Sequence, residues 1–177
     1  MLRYLTGLLV FLLATGVAPA QHYEAGQTGA DIITSPSDDR GYLAHRLKNG
    51  LRVLLISDPH TDKAAAALDV RVGSGSDPEE RAGLAHLLEH MLFLGTERYP
   101  EAGEYQAFIQ QHGGSDNAYT MPDHTNYYFD IQSQYLRGAL ERFSQFFVAP
   151  LFNPRFVERE RGVVHAEFSA KLKSDGR

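Results

Sequence analysis

The stretch GLAHLLEHMLFLG, at positions 83–95, places three polar side chains in an otherwise apolar helical pattern. Apolar residues occupy positions on nearly every side of such a helix, which predicts that the helix is buried all round. His86, Glu89 and His90 would then be buried polar groups. Each would cost about 1–3 kcal/mol or more if it had no partner. The sequence therefore predicts that another group satisfies these three side chains.

The spacing of the three residues is typical of a hydrolytic metal site. His86 and His90 are four residues apart, so both imidazoles lie on one helix face and can bind one metal ion. Glu89 lies beside them, where its carboxylate could accept the proton of a metal-activated water molecule. The order H-x-x-E-H is the reverse of the more common H-E-x-x-H. The motif alone leaves open a pair of core histidines that are hydrogen-bonded to a glutamate.

A second predicted helix carries two carboxylates on its apolar side. It begins at Asn153 and Pro154, an N-cap followed by a proline in the first turn, and extends to about residue 173. Glu160 and Glu167 are seven residues apart, so they project within about 20° of each other. The surrounding residues are predicted to form one apolar stripe of Phe156, Val157, Val163, Val164 and Phe168. Because carboxylates on a core-facing stripe need a cation, a zinc ion between the two helices would satisfy both sets of polar groups.

Composition limits the ligands further. The 177 residues are 43% hydrophobic and 22% charged, which is typical of a globular protein. The sequence contains no cysteine, which excludes disulfides, thiolate ligands and a cysteine nucleophile. His165 projects to the face of the last helix that is opposite Glu160 and Glu167. We therefore predict that His165 is a surface residue and not a ligand.

Residues 1–20 are typical of a secretory signal peptide. Arg3 precedes an apolar run at residues 5–17, and Ala18-Pro19-Ala20 matches a signal-peptidase site. The run is short for a membrane span, and an uncleaved anchor is the alternative. Without Arg3, 16 of the 17 basic residues remain against 22 acidic ones, a net charge of −6. This mild acidity gives no support to nucleic-acid binding, and no stable membrane anchor is expected after cleavage.

The remaining segments predict an α+β fold. Residues 21–41 are polar and aperiodic, which indicates a flexible N-terminal arm. Asn49-Gly50 predicts a hairpin over residues 42–57, and Met121-Pro122-Asp123 predicts the turn of a second hairpin. Further segments are predicted as a strand at residues 64–72 and helices at residues 81–94, 102–111 and 134–147. This order favours an antiparallel or mixed sheet packed against helices.

Five segments of the chain match the motifs of one peptidase family when they are taken together. They are GLAHLLEHMLFLGTERYP (83–100), SDNAYT (115–120), HTNYYFD (124–130), ALERFSQFFVAPLF (139–152) and ERERGVVHAE (158–167). From about residue 42 onward, the chain therefore resembles the N-terminal domain of the inverzincin metallopeptidases, the pitrilysin and insulin-degrading enzyme family. Periplasmic, pitrilysin-like members are the branch that the secretory signal favours.

The resemblance implies a role for each residue of the metal site. His86, His90 and Glu167 would bind one zinc ion, and Glu89 would be the general base. Glu160 would support the ligands without binding the metal itself. The activity implied is that of a zinc endopeptidase that hydrolyses peptides and small unfolded proteins.

The resemblance also implies where a peptide binds. Asn117 and Ala118 lie where the family offers an edge strand and a side-chain amide to its substrate. An extended peptide would be held there by main-chain hydrogen bonds, which do not read its sequence. Without the other motifs, the same segment would be an ordinary hairpin strand.

This chain differs from the family pattern in its length. Members of the family are several times longer and are built of four related domains, whose two halves close around the peptide. Residues 42–177 are therefore expected to be a truncated N-terminal domain. For activity, this domain would need a missing C-terminal half or a partner chain.

Two other function classes remain open at this stage. The chain could be a non-catalytic, zinc-bound subunit or fragment that binds peptides or a partner chain. A secreted zinc-storage module is the weaker alternative, because storage requires no Glu89 beside an open coordination position.

Overall fold

The structure, a computed structural model, describes residues 32–172. The predicted signal peptide and residues 21–31 of the predicted arm lie outside the described residues. The chain divides between Thr61 and Asp62 into two compact units. The predicted domain boundary at residue 42 stays a prediction. Within residues 32–172, no helix combines the length and the apolar character that a membrane crossing requires.

The first unit contains the hairpin that the Asn-Gly turn predicts. Strands β1 (Gly41–Arg46) and β2 (Arg52–Ser57) pair antiparallel. At the turn, the side-chain oxygen of Asn49 accepts a hydrogen bond from the amide of Leu51 over 3.1 Å. Gly50 has a φ of 92°, which a glycine adopts without steric cost. The first predicted hairpin is therefore confirmed.

The second unit contains a three-stranded antiparallel sheet. Its strands are β3 (Lys63–Val70), β4 (Ser115–Thr120) and β5 (Thr125–Gln132), in the spatial order β3-β5-β4. Strands β4 and β5 form the second predicted hairpin, closed where the Met121 amide donates to the His124 carbonyl over 2.8 Å. The α+β fold with an antiparallel sheet is thereby confirmed.

Four α-helices lie in the described part of the second unit. They are α1 (Leu84–Leu92), α2 (Glu104–Gln111), α3 (Leu136–Val148) and α4 (Pro154–Leu172). Helices α2 and α3 contact each other and β5, whereas α1 contacts α4 and β4. The main core cluster consists of Leu92, Tyr105, Ile109, Tyr127, Phe129, Ile131, Ala139, Leu140, Phe143 and Phe146. Alternate residues of β5 supply the sheet side of this core, as the period of two in a strand requires.

The prediction that α1 is buried on all sides was wrong. Leu84 and Leu88 are 44% and 45% exposed, whereas Ala85, Met91 and Leu92 are buried. Leu84 and Leu88 are four residues apart and share one side of the helix. Since α4 and β4 are the long elements that cover α1 in the described unit, this side remains exposed.

The predicted apolar stripe of α4 was too broad. Val163 and Phe168 are 39% and 57% exposed, whereas Val164 and Glu160 are only 8% and 7% exposed. The face that α4 turns toward α1 follows the spacing of Glu160, Val164 and Glu167, which are four and three residues apart. The two carboxylates therefore lie on the inner face, but within a narrower strip than the sequence predicts.

Candidate active site

The N-terminus of α1 is held by a carboxylate from the preceding loop. Asp77 accepts hydrogen bonds from the amides of Gly83 and Ala85, over 2.7 Å and 2.8 Å. Gly83 has a φ of 92°, so the chain enters the helix through a left-handed residue. Because the first amides of a helix have no partner within it, Asp77 acts as a cap supplied from six residues before Gly83. His86 lies directly after this capped turn.

Three side chains from α1 and α4 converge on one point. The Nε2 atoms of His86 and His90 are 3.2 Å apart. Glu167 Oε2 lies 3.3 Å from His86 Nε2, and Glu167 Oε1 lies 3.8 Å from His90 Nε2. In a tetrahedral zinc site with bonds of 2.0–2.2 Å, neighbouring donor atoms are about 3.3–3.6 Å apart. The observed donor set and its spacing therefore fit a divalent cation that prefers nitrogen and oxygen ligands.

A carboxylate behind His90 fixes the orientation of its ring. His90 Nδ1 lies 3.2 Å from Glu160 Oε2. In a neutral ring, Nδ1 donates its hydrogen to the carboxylate and leaves the Nε2 lone pair directed at His86 and Glu167. Glu160 is in turn bound by Arg159, whose Nε donates to Glu160 Oε1 over 2.7 Å. The contacts thus run from Arg159 through Glu160 to the His90 ring, and the supporting role of Glu160 stays a prediction.

Burial favours the neutral form of the other histidine. Desolvation lowers the pKa of His86, and the charge of Glu89 opposes this shift, followed by smaller effects from His90 and Glu167. A neutral imidazole is the form that binds a metal ion. The His86 side chain is still 21% exposed and Glu167 43%, so solvent and a ligand can reach the donor atoms.

Glu89 lies on the side of α1 that faces the sheet. It is only 7% exposed, and its Oε2 accepts a hydrogen bond of 2.5 Å from the hydroxyl of Thr120 on β4. Its Oε1 accepts no hydrogen bond from any residue in the described part of the chain. Glu89 therefore has one carboxylate oxygen that is held and one that is available as a base.

Strand β4 is the edge of the sheet on the side of α1. Among the described residues, its second edge pairs with no other strand. Because Met121 donates to His124 at the turn, the alternation of an antiparallel pair directs the Ala118 amide away from β5. This amide donates to the side-chain oxygen of Asn117 over 2.9 Å. An incoming peptide strand would therefore compete with the Asn117 side chain for the Ala118 amide.

His165 lies apart from this constellation. Its side chain is exposed on α4, as the helical phase predicts. The group of His, Asp and Glu side chains in residues 32–172 that could hold a metal ion consists of His86, His90 and Glu167.

Comparison with known proteins agrees with these motifs. Residues 52–175 match the family described as Insulinase (Peptidase family M16). The insulin-degrading enzyme of Homo sapiens is 52% identical over 147 residues, which are 83% of this chain and 14% of that protein. A protein of Schizosaccharomyces pombe that is named as a zinc protease is 49% identical over 138 residues, 78% of this chain and 14% of its own. The crystal structure of pitrilysin matches with a TM-score of 0.79 and 42% identity, covering 84% of this chain and 16% of that one.

The chain belongs to the insulinase family, peptidase family M16. It matches the N-terminal domain of the family, and the resemblance that the motifs predict is confirmed. The chain spans about 14% of the length of the curated relatives it matches.

The contacts of three residues in this insulinase-family site were not predicted from the sequence. Asp77 precedes its helix by a loop too long for an ordinary N-cap pattern, although an Asp before a helix is the usual signal. Thr120 appears in the sequence as one more strand residue, and Arg159 as one more surface charge. Their roles depend on contacts between separate elements, with Thr120 bonded to Glu89 and Arg159 bonded to Glu160.

Proposed function

We propose that this chain is the zinc-binding, catalytic module of a zinc-dependent endopeptidase. The observation that carries the proposal is the convergence of His86 Nε2, His90 Nε2 and a Glu167 carboxylate oxygen within 4.8 Å of one another. Glu89, one residue before His90, supplies a buried carboxylate with one available oxygen. Relatives named as an insulin-degrading enzyme and a zinc protease support the same reading.

Each residue would have one task in the hydrolysis. A zinc ion held by His86, His90 and Glu167 would activate water as the nucleophile and polarise the peptide carbonyl. Glu89 would accept the proton of the water as its oxygen attacks the carbonyl carbon. Glu89 would then return that proton to the departing amine when the C–N bond breaks. Glu160 would keep the His90 ring in the orientation that directs Nε2 at the site.

We propose that the substrate is an extended peptide or a small unfolded protein. The unpaired edge of β4 supports this, because it offers main-chain groups to an added strand. Asn117 would bind the peptide through its side-chain amide, and Ala118 would bind it through its main chain. Main-chain recognition of this kind predicts weak sequence preference.

We propose further that turnover needs protein segments beyond residues 32–172. A peptide must be held in line with the nucleophile, and orientation supplies several kcal/mol of a catalytic barrier. Donors must also stabilise the transition-state charge while water is excluded. Strand β4 is open to solvent on one edge, so alone it holds a peptide weakly. The remainder of the family architecture, or a partner chain, would supply these groups.

The cellular location is a separate proposal. The pattern of residues 1–20 supports export across the inner membrane and cleavage after Ala20, which would leave the protein in the periplasm. Expression in a Gram-negative host, fractionation and N-terminal sequencing would test it. We expect a periplasmic protein that begins at Gln21. An intact Met1, in the cytosolic or membrane fraction, would contradict the proposal.

The activity is tested by joining residues 42–177 to pitrilysin in place of its matching segment. We expect the fusion to bind zinc and to cleave a quenched fluorescent peptide. Glu89→Gln in the same fusion should keep the zinc and lower kcat by about 10²- to 10⁴-fold, since an amide cannot accept the proton. The unfused chain, assayed beside it, should bind zinc with little or no turnover.

Two outcomes would contradict this proposal. A folded, zinc-loaded fusion without peptidase activity would favour the alternative of a non-catalytic zinc-bound module. Rapid hydrolysis by the unfused chain, abolished by Glu89→Gln, would show that the additional segments are dispensable.

A further inference from the structure

Two threonines lie opposite each other at the end of the β4–β5 hairpin. Thr120 and Thr125 are register partners, and their hydroxyl oxygens are 3.5 Å apart. Thr125 is buried and donates to the Val72 carbonyl over 2.9 Å. Thr120 donates to Glu89 Oε2 over 2.5 Å. The two neighbouring hydroxyls therefore serve different acceptors, that of Thr125 in a loop and that of Thr120 in the candidate active site.

The direction of the Thr120 hydrogen bond follows from the available protons. A threonine hydroxyl has one proton, and that of Thr125 is committed to Val72. An ionised carboxylate can only accept. Thr120 must therefore be the donor, and its single O–H points at Glu89 Oε2. Neither hydroxyl then has a hydrogen left to donate to the other.

The backbone directly after Thr120 is held by the loop before α1. The carbonyls of Met121 and Pro122, directly after Thr120, accept hydrogen bonds from the amides of Ser74 and Gly75 over 2.9 Å and 2.8 Å. The approach is so close that a Cβ at Gly73 would lie 2.0 Å from the Met121 carbonyl oxygen. Only a glycine fits there.

The same loop continues to the start of the helix that carries Glu89. Asp77, at its end, binds the Gly83 and Ala85 amides of α1. One loop thus fixes both the strand that carries the donor and the helix that carries the acceptor.

We propose that Thr120 is a positioning residue for Glu89 in this site. The terminal torsion of a glutamate side chain is broad, so packing alone does not select its orientation. The Thr120 hydroxyl holds Oε2 and thereby leaves Oε1 as the oxygen that accepts the proton of the attacking water. A neutral donor does this without placing a further positive charge beside the two histidines. The proposal deepens the peptidase function and rests on Glu89 being its base.

The substitutions that test the proposal differ by single groups. Thr120→Val removes the hydroxyl at nearly constant volume, and Thr120→Ser keeps it. Thr125→Val is the matched control, because it removes a neighbouring buried hydroxyl that does not contact Glu89. Thr120→Ala replaces the valine variant if that variant fails to fold.

In the pitrilysin fusion, we expect Thr120→Val to lower kcat by about 10- to 100-fold, as for a displaced catalytic group. KM and zinc content should stay within about twofold, since neither depends on the orientation of Glu89. Thr120→Ser should restore kcat, and Thr125→Val should keep it. Equal kcat in the valine and wild-type fusions would overturn the proposal. So would a serine variant as impaired as the valine variant.

A second readout does not depend on hydrolysis. In the full chain labelled with ¹³C at glutamate carboxyls, Glu89→Gln identifies the Glu89 resonance. We expect Thr120→Val to shift this resonance, and Thr120→Ser and Thr125→Val to leave it in place. An unshifted resonance in Thr120→Val would overturn the proposal even in an active enzyme. If the resonance shifts but the wild-type fusion cleaves no peptide, the peptidase function fails while the Thr120–Glu89 contact stands.

Discussion

Two buried carboxylates, Glu160 of α4 and Glu89 of α1, lie on opposite sides of α1 in different electrostatic surroundings. On the side of α4, Glu160 contacts the Arg159 guanidinium over 2.7 Å and the His90 ring over 3.2 Å. On the side of β4, Glu89 accepts its hydrogen bond from the neutral hydroxyl of Thr120. Both glutamates are 7% exposed. The two carboxylates are therefore equally buried, but Glu160 is bonded to a positively charged guanidinium and Glu89 to a neutral hydroxyl.

In the proposed mechanism, this difference separates a carboxylate that orients a histidine from one that accepts a proton. Glu160 is engaged through both oxygens, which suits a group that orients His90 and does not react. Glu89 is engaged through one oxygen by a donor without charge, so it retains a site that can accept a proton. The α4 side of α1 should therefore control metal binding, and the β4 side should control proton transfer.

The largest expected effect follows from removing a ligand on the α4 side. His86→Ala should reduce the zinc content of the dialysed chain from about one per molecule to nearly none, because two remaining ligands bind zinc weakly. Elemental analysis measures this directly, and His165→Ala is the matched histidine control. An unchanged zinc content in His86→Ala would refute the site.

Two isosteric substitutions, one on the α4 side of α1 and one on its β4 side, compare the two sides directly. Glu167→Gln should weaken zinc binding, since a neutral amide replaces an anionic ligand. Glu89→Gln should leave the zinc affinity within about threefold, because this carboxylate is assigned to the water and not to the metal. Competition with a zinc chelator measures both constants. The opposite order of affinities would mean that the two roles are exchanged.

A smaller effect on zinc affinity is expected from Glu160, which contacts the His90 ring at Nδ1. Glu160→Gln keeps the shape of the side chain but weakens its hydrogen bond with His90 Nδ1. Removal of such a support typically lowers metal affinity by about 10- to 100-fold. The same chelator titration measures the change. A zinc affinity equal to that of the unsubstituted chain would show that the His90 ring is oriented by packing alone.

The cap of α1 should matter for stability more than for metal chemistry. Asp77→Ala removes the acceptor of the Gly83 and Ala85 amides and should lower the free energy of unfolding by about 1 kcal/mol. Urea denaturation followed by circular dichroism measures this value. Asp77→Asn, which keeps an acceptor, should lose less. Equal losses in both variants would contradict the role as a cap.

The smallest effect is expected on the outer face of α4. His165→Ala should change the free energy of unfolding by no more than about 0.5 kcal/mol, as for most exposed positions. Zinc content should not change. Loss of zinc in this variant would show that the helical phase is wrong, and with it the inward direction of Glu160 and Glu167.

Local periodicity explains why much of the site could be predicted. The spacing of His86 and His90 on one helix fixes their common face, and the same holds for Glu160 and Glu167 on another. That these two faces meet, with donor atoms 3.2–3.8 Å apart, agrees with the argument that each set of buried charges needs the other. The hairpins were predictable because their turns carry specific residues.

The contacts between elements could not be predicted in the same way. An apolar sequence indicates that a helix is buried but does not indicate which neighbour covers each side, so the exposure of Leu84 and Leu88 was missed. Thr120 meets Glu89 only because the hairpin end is docked on the loop at Gly73. Sequence spacing contains no information on that docking.

The most direct test of the account is the position of zinc in crystals of the chain, located by anomalous diffraction on both sides of the zinc absorption edge. The account predicts one peak between α1 and α4, about 2.0–2.2 Å from His86 Nε2, His90 Nε2 and a Glu167 oxygen. Glu89 should lie outside bonding distance of the metal. A zinc bonded to Glu89, or zinc-soaked crystals in which the histidines bind only each other and the glutamates, would contradict it.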